Sequence, residues 1–161
     1  IEAIYIPSDD FLDHGVQSVL PYLDSVVTLS RSVYQQGLLP AIDLMASGSA
    51  ALTLGVVGEL HYETVIAAQA TLKKAEGLER VVSLVGESEL SPENQLLFKR
   101  AKRKRNYMTQ NFFVASIQTG RPGKFVPVKT TVADVADILG GKYDQVLEDK
   151  FLYVGSASEV L

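Results

Sequence analysis

No cysteine occurs among the 161 residues, so the chain has neither a disulfide framework nor a thiolate nucleophile, and its redox compartment is left open. Histidine is nearly as scarce. His14 and His61 stand far apart and supply no ligand cluster. Apolar runs such as residues 50–57 are too short for a bilayer span, and no basic-then-apolar targeting segment opens the chain, which is expected to be soluble. The phosphate-cradling form GxxxxGK[ST] is missing: Gly120-Arg121-Pro122-Gly123-Lys124 has neither its spacing nor a strand before it. Because phosphoryl transfer needs that cradle and a metal, these residues alone should not hydrolyse ATP. Without a G-x-S-x-G elbow or an H-E-x-x-H pair, an autonomous hydrolase is also set aside.

What is present is ordinary globular chemistry, with 47% hydrophobic and 21% charged residues in 17.5 kDa. The net charge of −4 hides an asymmetry. Residues 1–98 carry 13 acids against 4 bases, whereas residues 99–161 carry 6 acids against 11 bases. Lys99, Arg100, Lys102, Arg103, Lys104 and Arg105 put six cations into seven positions. Such a cluster reads as a solvated face beside a protein contact, or as a phosphate-binding patch on nucleic acid.

Hydrophobic periodicity is strongest over residues 62–86, where Val65, Ala68, Leu72, Ala75, Leu78, Val82 and Val85 recur three or four apart and predict one long helix with a single buried stripe. A break at Gly77 is open on propensity grounds. Ser91 caps the next helix, with Pro92 at its first position and Glu93 in its first turn, and that helix ends near Asn106. Ahead of the long helix, residues 1–6 and 25–29 read as short strands, residues 11–21 as a loop, residues 31–36 as a short helix stopped by Gly37, and residues 44–60 as a linker. Farther on, Thr109 reads as a cap, Gly120, Pro122 and Gly123 as a turn, residues 125–128 as extended, and Thr130 or Thr131 as the start of a helix ending at Gly140-Gly141. The expected fold is therefore an α+β fragment, the edge of an α/β sheet domain over residues 1–60 followed by a mainly α-helical bundle over residues 61–161. The start within an apolar strand is what a cut from a longer chain would show.

Asp9, Asp10 and Asp13 near a strand end offer either oxygen ligands for a hard cation or solvated turn residues. His61 reads as a capping or packing residue rather than a base. Leu39, Phe112, Phe113 and Ala115 can touch a planar ligand or simply fill core.

Several runs in order resemble the catalytic beta subunit of F-type ATP synthases: Tyr5 to Asp13 (YIPSDDFLD), Leu23 to Val33 (LDSVVTLSRSV), Gly37 to Asp43 (GLLPAID), Val57 to Glu63 (VGELHYE), Ser88 to Asn94 (SELSPEN), Met108 to Ala115 (MTQNFFVA), Thr119 to Pro127 (TGRPGKFVP) and Phe151 to Gly155 (FLYVG). The resemblance implies the last part of a nucleotide-binding domain and the helical domain after it, with the catalytic parts upstream, so no residue here is expected to be catalytic. It places Leu39, Phe112, Ala115 and Gln118 on the nucleotide side. The family has aromatic rings at the positions of Leu39 and Gln118, so adenine stacking is weakened here. Its arginine after the Ser47-Gly48-Ser49-Ala50 position is also missing.

The same resemblance implies that Ser88, Glu89, Leu90, Ser91, Pro92, Glu93 and Asn94 replace an acidic lever loop that meets the rotating central stalk. Three of its carboxylate positions are here Ser88, Pro92 and Asn94. ATP or ADP with Mg2+ would bind the intact subunit but not tightly this portion, which is expected to be inactive alone and monomeric. The intact subunit would be an ion-translocating ATPase or ATP synthase, peripheral to the cytoplasmic face of a bacterial membrane or the matrix side of an organellar one, partnered by alpha-type subunits and a gamma-type stalk and not by nucleic acid. Two other readings stay open, a noncatalytic assembly module of the same ancestry and a basic helical nucleic-acid-binding domain.

Overall fold

Two antiparallel helices set the frame of the computed structural model, which describes residues 1–6 and 12–161. Helix α4, Glu59–Val85, is 27 residues long, about 40 Å at 1.5 Å per residue. Thr64, Ala68, Leu72 and Ala75 form its buried stripe, while Val65, Leu78 and Val82 of the predicted stripe are half-buried and Val85 is exposed. The helix continues through Gly77 without a break. Helix α5, Pro92–Tyr107, begins as its sequence predicts: the Ser91 side chain accepts the Asn94 amide, Pro92 occupies the first turn and Glu93 faces the exposed N–H groups.

Helix α7, Val128–Gly140, packs across both α4 and α5. It starts ahead of Thr130 and Thr131, directly after Pro127, and stops where Gly141 takes φ +93°. Two apolar clusters hold these helices, the first involving all three and the second α4 and α5 alone. One gathers Ala68, Tyr107, Val135, Ile138, Tyr143, Phe151 and Ala157, and the other Leu72, Ala75 and Ala101. Tyr143 and Phe151 meet edge to face at 5.6 Å between ring centroids. Short 3-10 turns at Glu148–Phe151 and Ala157–Val160 fold the tail back onto α5 and its own neighbours.

A small open sheet of two strands precedes the bundle. Strand β1, Ser25–Val26, pairs antiparallel with β2, Gly48–Ser49, in the register Ser25 to Ser49 and Val26 to Gly48. A further bridge joins Leu29 to Ile42. Side chains hold this edge where the ladder is short: Ser47 Oγ accepts the Thr28 amide at 3.0 Å, and Ser25 and Ser49 hydroxyls meet at 2.7 Å. Helix α2, Arg31–Gln35, follows β1 and is capped by Ser30, with Gly37 at φ +73° beyond its end.

Four local expectations are corrected. Residues 1–6 form no strand among the described residues, and their apolar side chains Ile1 and Tyr5 are exposed. The expected loop contains helix α1, His14–Val19, because Asp13 Oδ1 accepts the Gly15 and Val16 amides and caps it. The expected linker holds β2 and helix α3, Leu54–Val57. Thr109 begins no helix: its hydroxyl donates to the Asn106 carbonyl and so closes the end of α5, and helix α6, Ser116–Thr119, starts later.

Candidate functional site

The residues predicted on the nucleotide side lie on two backbone stretches that the fold ties together. Leu39 belongs to the turn after α2, and its carbonyl accepts the Gln110 amide at 2.9 Å. Phe112, two residues past Gln110, is 46% exposed and lines an open cleft of about 350 Å³. The cleft lies between that turn and the α4/α5 pair, with Leu38, Pro40, Leu72 and Met108 as apolar walls and Glu79 and Arg105 joined by a 2.8 Å ion pair at its side. Ala115 ends a 3-10 turn, Phe113–Ala115, that leads into α6, where Gln118 is exposed. The Leu39–Gln110 bond thus sets the Leu39 turn beside the stretch that carries Phe112; Phe112 lines the cleft and Leu39 does not, and Ala115 and Gln118 sit on the following turn.

Sequence reasoning missed the residue that locks this arrangement. Tyr153 donates its hydroxyl to the Gly37 carbonyl at 2.6 Å and accepts the Leu39 amide at 3.2 Å. In the sequence it is one tyrosine in an apolar run, and nothing local marks its partners 114 and 116 residues away.

The lever candidates form the turn between α4 and α5. Gly86 at φ +91° leaves α4, a 3-10 turn follows at Glu87–Glu89, and Leu90 is buried beneath it. Gln95 reaches back from α5 and donates to the carbonyls of Leu90 at 2.8 Å and Ser88 at 3.2 Å. With Ser91 capping and Pro92 fixing φ, the tip is held from both sides. Glu87 lies 3.6 Å from Lys99, whereas Glu89 and Glu93 are exposed.

The basic run is neither a solvated face nor an open phosphate-binding patch. Arg100 donates from Nε to Asp144 Oδ1 at 2.9 Å and from Nη1 to the Leu139 carbonyl at 2.9 Å. This contact holds the Asp144 carboxyl below its ordinary range and raises the Arg100 guanidinium. Arg103, 3% exposed, donates to the Val146 and Asp144 carbonyls and lies 3.2 Å from Glu148. Its Nη1 is buried without a hydrogen bond, 3.7 Å from Asp144 Oδ1. Lys99, Lys102 and Arg105 face Glu87, Asp149 and Glu79. Lys104 is buried, and desolvation, helped by the neighbouring Arg105 charge, pushes its amine down to about 8. Cations committed in this way tie α5 to the tail and to α4, with Lys99 and Lys102 the more exposed of the run.

Asp9 and Asp10 lie outside the described residues, and Asp13 is engaged as the α1 cap. Among the described residues no group of three or more His, Cys, Asp or Glu side chains is placed to hold a metal ion. No helix among them is long and apolar enough to cross a membrane.

A family profile described as the C-terminal domain of V and A type ATP synthase matches residues 51–152. Among solved structures, the chain is similar to a unique ATP synthase subunit, NeqB, from Nanoarcheaum equitans, with a TM-score of 0.70 and 18% identity over 84% of this chain and 33% of that one. That likeness is one of fold, and the chain spans about a third of that relative's length. The F-type beta assignment is overturned by the family match. The runs that suggested it largely serve local structure: Ser91-Pro92-Glu93 caps α5, and the stretch from Gly37 to Asp43 makes a turn and a bridge. The chain belongs to the family of the C-terminal domain of V and A type ATP synthases.

Proposed function

We propose that this chain is the arm of a rotary ATP synthase or ATPase subunit, carrying motion between a nucleotide site and a central shaft. Residues 1–60 are then the last part of a nucleotide-binding domain, and residues 61–161 the arm. The observation that carries the reading is the tip between α4 and α5, a turn stiffened by Gln95, Ser91 and Pro92 at the end of a helix about 40 Å long. A lever needs a rigid end, because a compliant one absorbs the displacement it should deliver. Leu39 and Phe112 form one edge of the adenine site, with Ala115 and Gln118 on the turn behind. Phosphate and Mg2+ are held by residues upstream, and the chemical step occurs there. Ring subunits flank the arm, and the residues Ser88, Glu89, Leu90, Ser91, Pro92, Glu93 and Asn94 meet the shaft. The complete subunit works as a peripheral part of its membrane complex.

The test is to loosen the tip in the full-length subunit with P92G and Q95A and to measure ATP hydrolysis and ion pumping in the reconstituted complex. Hydrolysis should continue while the ions moved per ATP fall. Unchanged pumping per ATP would refute the lever.

A further inference from the structure

Tyr153 has φ of 60°, a left-handed backbone that bulky residues seldom adopt. Strain of that kind persists where surrounding contacts over-determine it. Here every polar group of the residue is engaged. Its amide donates to Thr109 Oγ1 at 2.8 Å, and its carbonyl accepts Asn111 Nδ2 at 2.7 Å. Its hydroxyl bridges the Gly37 carbonyl and the Leu39 amide, and the Arg121 guanidinium lies 4.0 Å from the ring centroid.

These bonds form a closed circuit. Leu39 is held at its N–H by the Tyr153 hydroxyl and at its C=O by the Gln110 amide, while Tyr153 is held through its own backbone by Thr109 and Asn111, the residues on either side of Gln110. Both peptide groups of Leu39 are therefore fixed, and its separation from the stretch that carries Phe112 is fixed with them. Only the two side chains remain to adapt. Only Phe112 is aromatic, so a base held between them would be stacked on one side alone and would depend on the spacing of the leucine on the other.

We propose that Tyr153 is a positioning residue for a purine base, holding the Leu39 and Phe112 side chains at the separation that a planar ring requires. This rests on the reading of Leu39 and Phe112 as one edge of the adenine site. The phenol reaches the turn that carries Leu39, the backbone anchors the stretch that carries Phe112, and Arg121 over the ring restrains the phenol's direction.

The experiment compares Mg-ADP with Mg-pyrophosphate in equilibrium binding to the full-length subunit in its assembled ring. Y153F removes both bonds of the hydroxyl while keeping the ring and the backbone contacts. It should weaken Mg-ADP on the order of fivefold and leave Mg-pyrophosphate unchanged, the loss expected for hydrogen bonds that act through position. Equal weakening of both ligands, or a lower melting temperature with an unchanged affinity ratio, would show a merely structural tyrosine and overturn the proposal. T109A, which removes the anchor of the Tyr153 amide, should give the same selective loss, and T109S should restore binding. These two variants decide the matter if Y153F does not fold. A wild-type ring that binds Mg-ADP no more tightly than Mg-pyrophosphate would instead refute the base edge itself.

Discussion

The Tyr107 hydroxyl donates to Asp134 Oδ2 at 2.7 Å within the core, and the same oxygen accepts the Ala157 amide at 2.8 Å. One carboxylate on α7 thereby fastens α5 and the tail. Burial, and then the bond to Asp134, raise the Tyr107 phenol well above its ordinary value. Y107F should cost about 1–2 kcal/mol in urea denaturation, the value of one buried charge-assisted bond. D134A should cost more, about 3 kcal/mol, because it strands both a buried hydroxyl and a buried amide. Equal losses in the two variants would mean that the tail is not held through Asp134.

Gly141 is required on two grounds. Its φ of +93° strains any side chain, and a Cβ there would overlap Arg100 Nη2 and lie 2.8 Å from Asp144 Oδ2. G141A should therefore destabilise by more than about 1 kcal/mol from the backbone alone and also disturb the Arg100–Asp144 pair. In an R100A background the part of the penalty due to Arg100 should vanish while the Asp144 contact remains, so the two changes should be less than additive in thermal denaturation. Strict additivity would show that the contact contributes nothing.

The elements legible in the sequence are those whose causes are local. Ser91, Pro92 and Glu93 cap α5 within four residues, and the Ala68, Leu72 and Ala75 spacing marks the buried face of α4. What was illegible has causes remote in sequence or too small to leave a pattern. Gly48 and Ser49 have no strand propensity and pair only because Ser25 and Val26 lie opposite. Helix α1 buries only Val16, so its six residues carry no periodicity. The basic run showed its charge, but Asp144 and Glu148, which take it up, lie more than 40 residues further on. Among the candidate site residues, Leu39 and Phe112 are expectations drawn from resemblance, whereas the bonds of Tyr153 to the Leu39 turn required the fold.

Lys104 should leave a signature in the pH dependence of stability. On α5 it falls between Ala101 of one apolar cluster and Met108 against the other, and its charged form is disfavoured there. The folded value of about 8 lies below the unfolded 10.5, so between these limits the unfolded chain binds more protons and stability rises with pH. The cost is present in full below pH 8 and amounts to about 3 kcal/mol. Above pH 10 the buried Tyr107 and Tyr143, whose phenols hold their protons more tightly in the folded state, act in the opposite sense. K104M keeps the apolar stem, and it should stabilise at pH 7 by about 1–3 kcal/mol and remove the rise between pH 8 and 10. A wild-type curve that falls across that interval while K104M stays parallel to it would contradict the assignment.

The proposed lever could push by charge or by shape, and the residues of the tip distinguish the two. Glu87 is already engaged with Lys99, which leaves Glu89 and Glu93 as exposed carboxylates in the turn. Just before them, Val81, Leu84 and Val85 are exposed, and their spacing puts them on one face of the last turns of α4. Leu84, at 80% exposure, is the most prominent of the three. Exposed single charges contribute roughly 1 kcal/mol or less, so E89A with E93A should leave coupled turnover in the assembled machine within about twofold. L84D places an unpaired charge where apolar contact is expected and should lower ions moved per ATP without lowering hydrolysis. If the paired glutamate substitutions abolish torque while L84D leaves it intact, the contact is electrostatic and the steric lever is wrong.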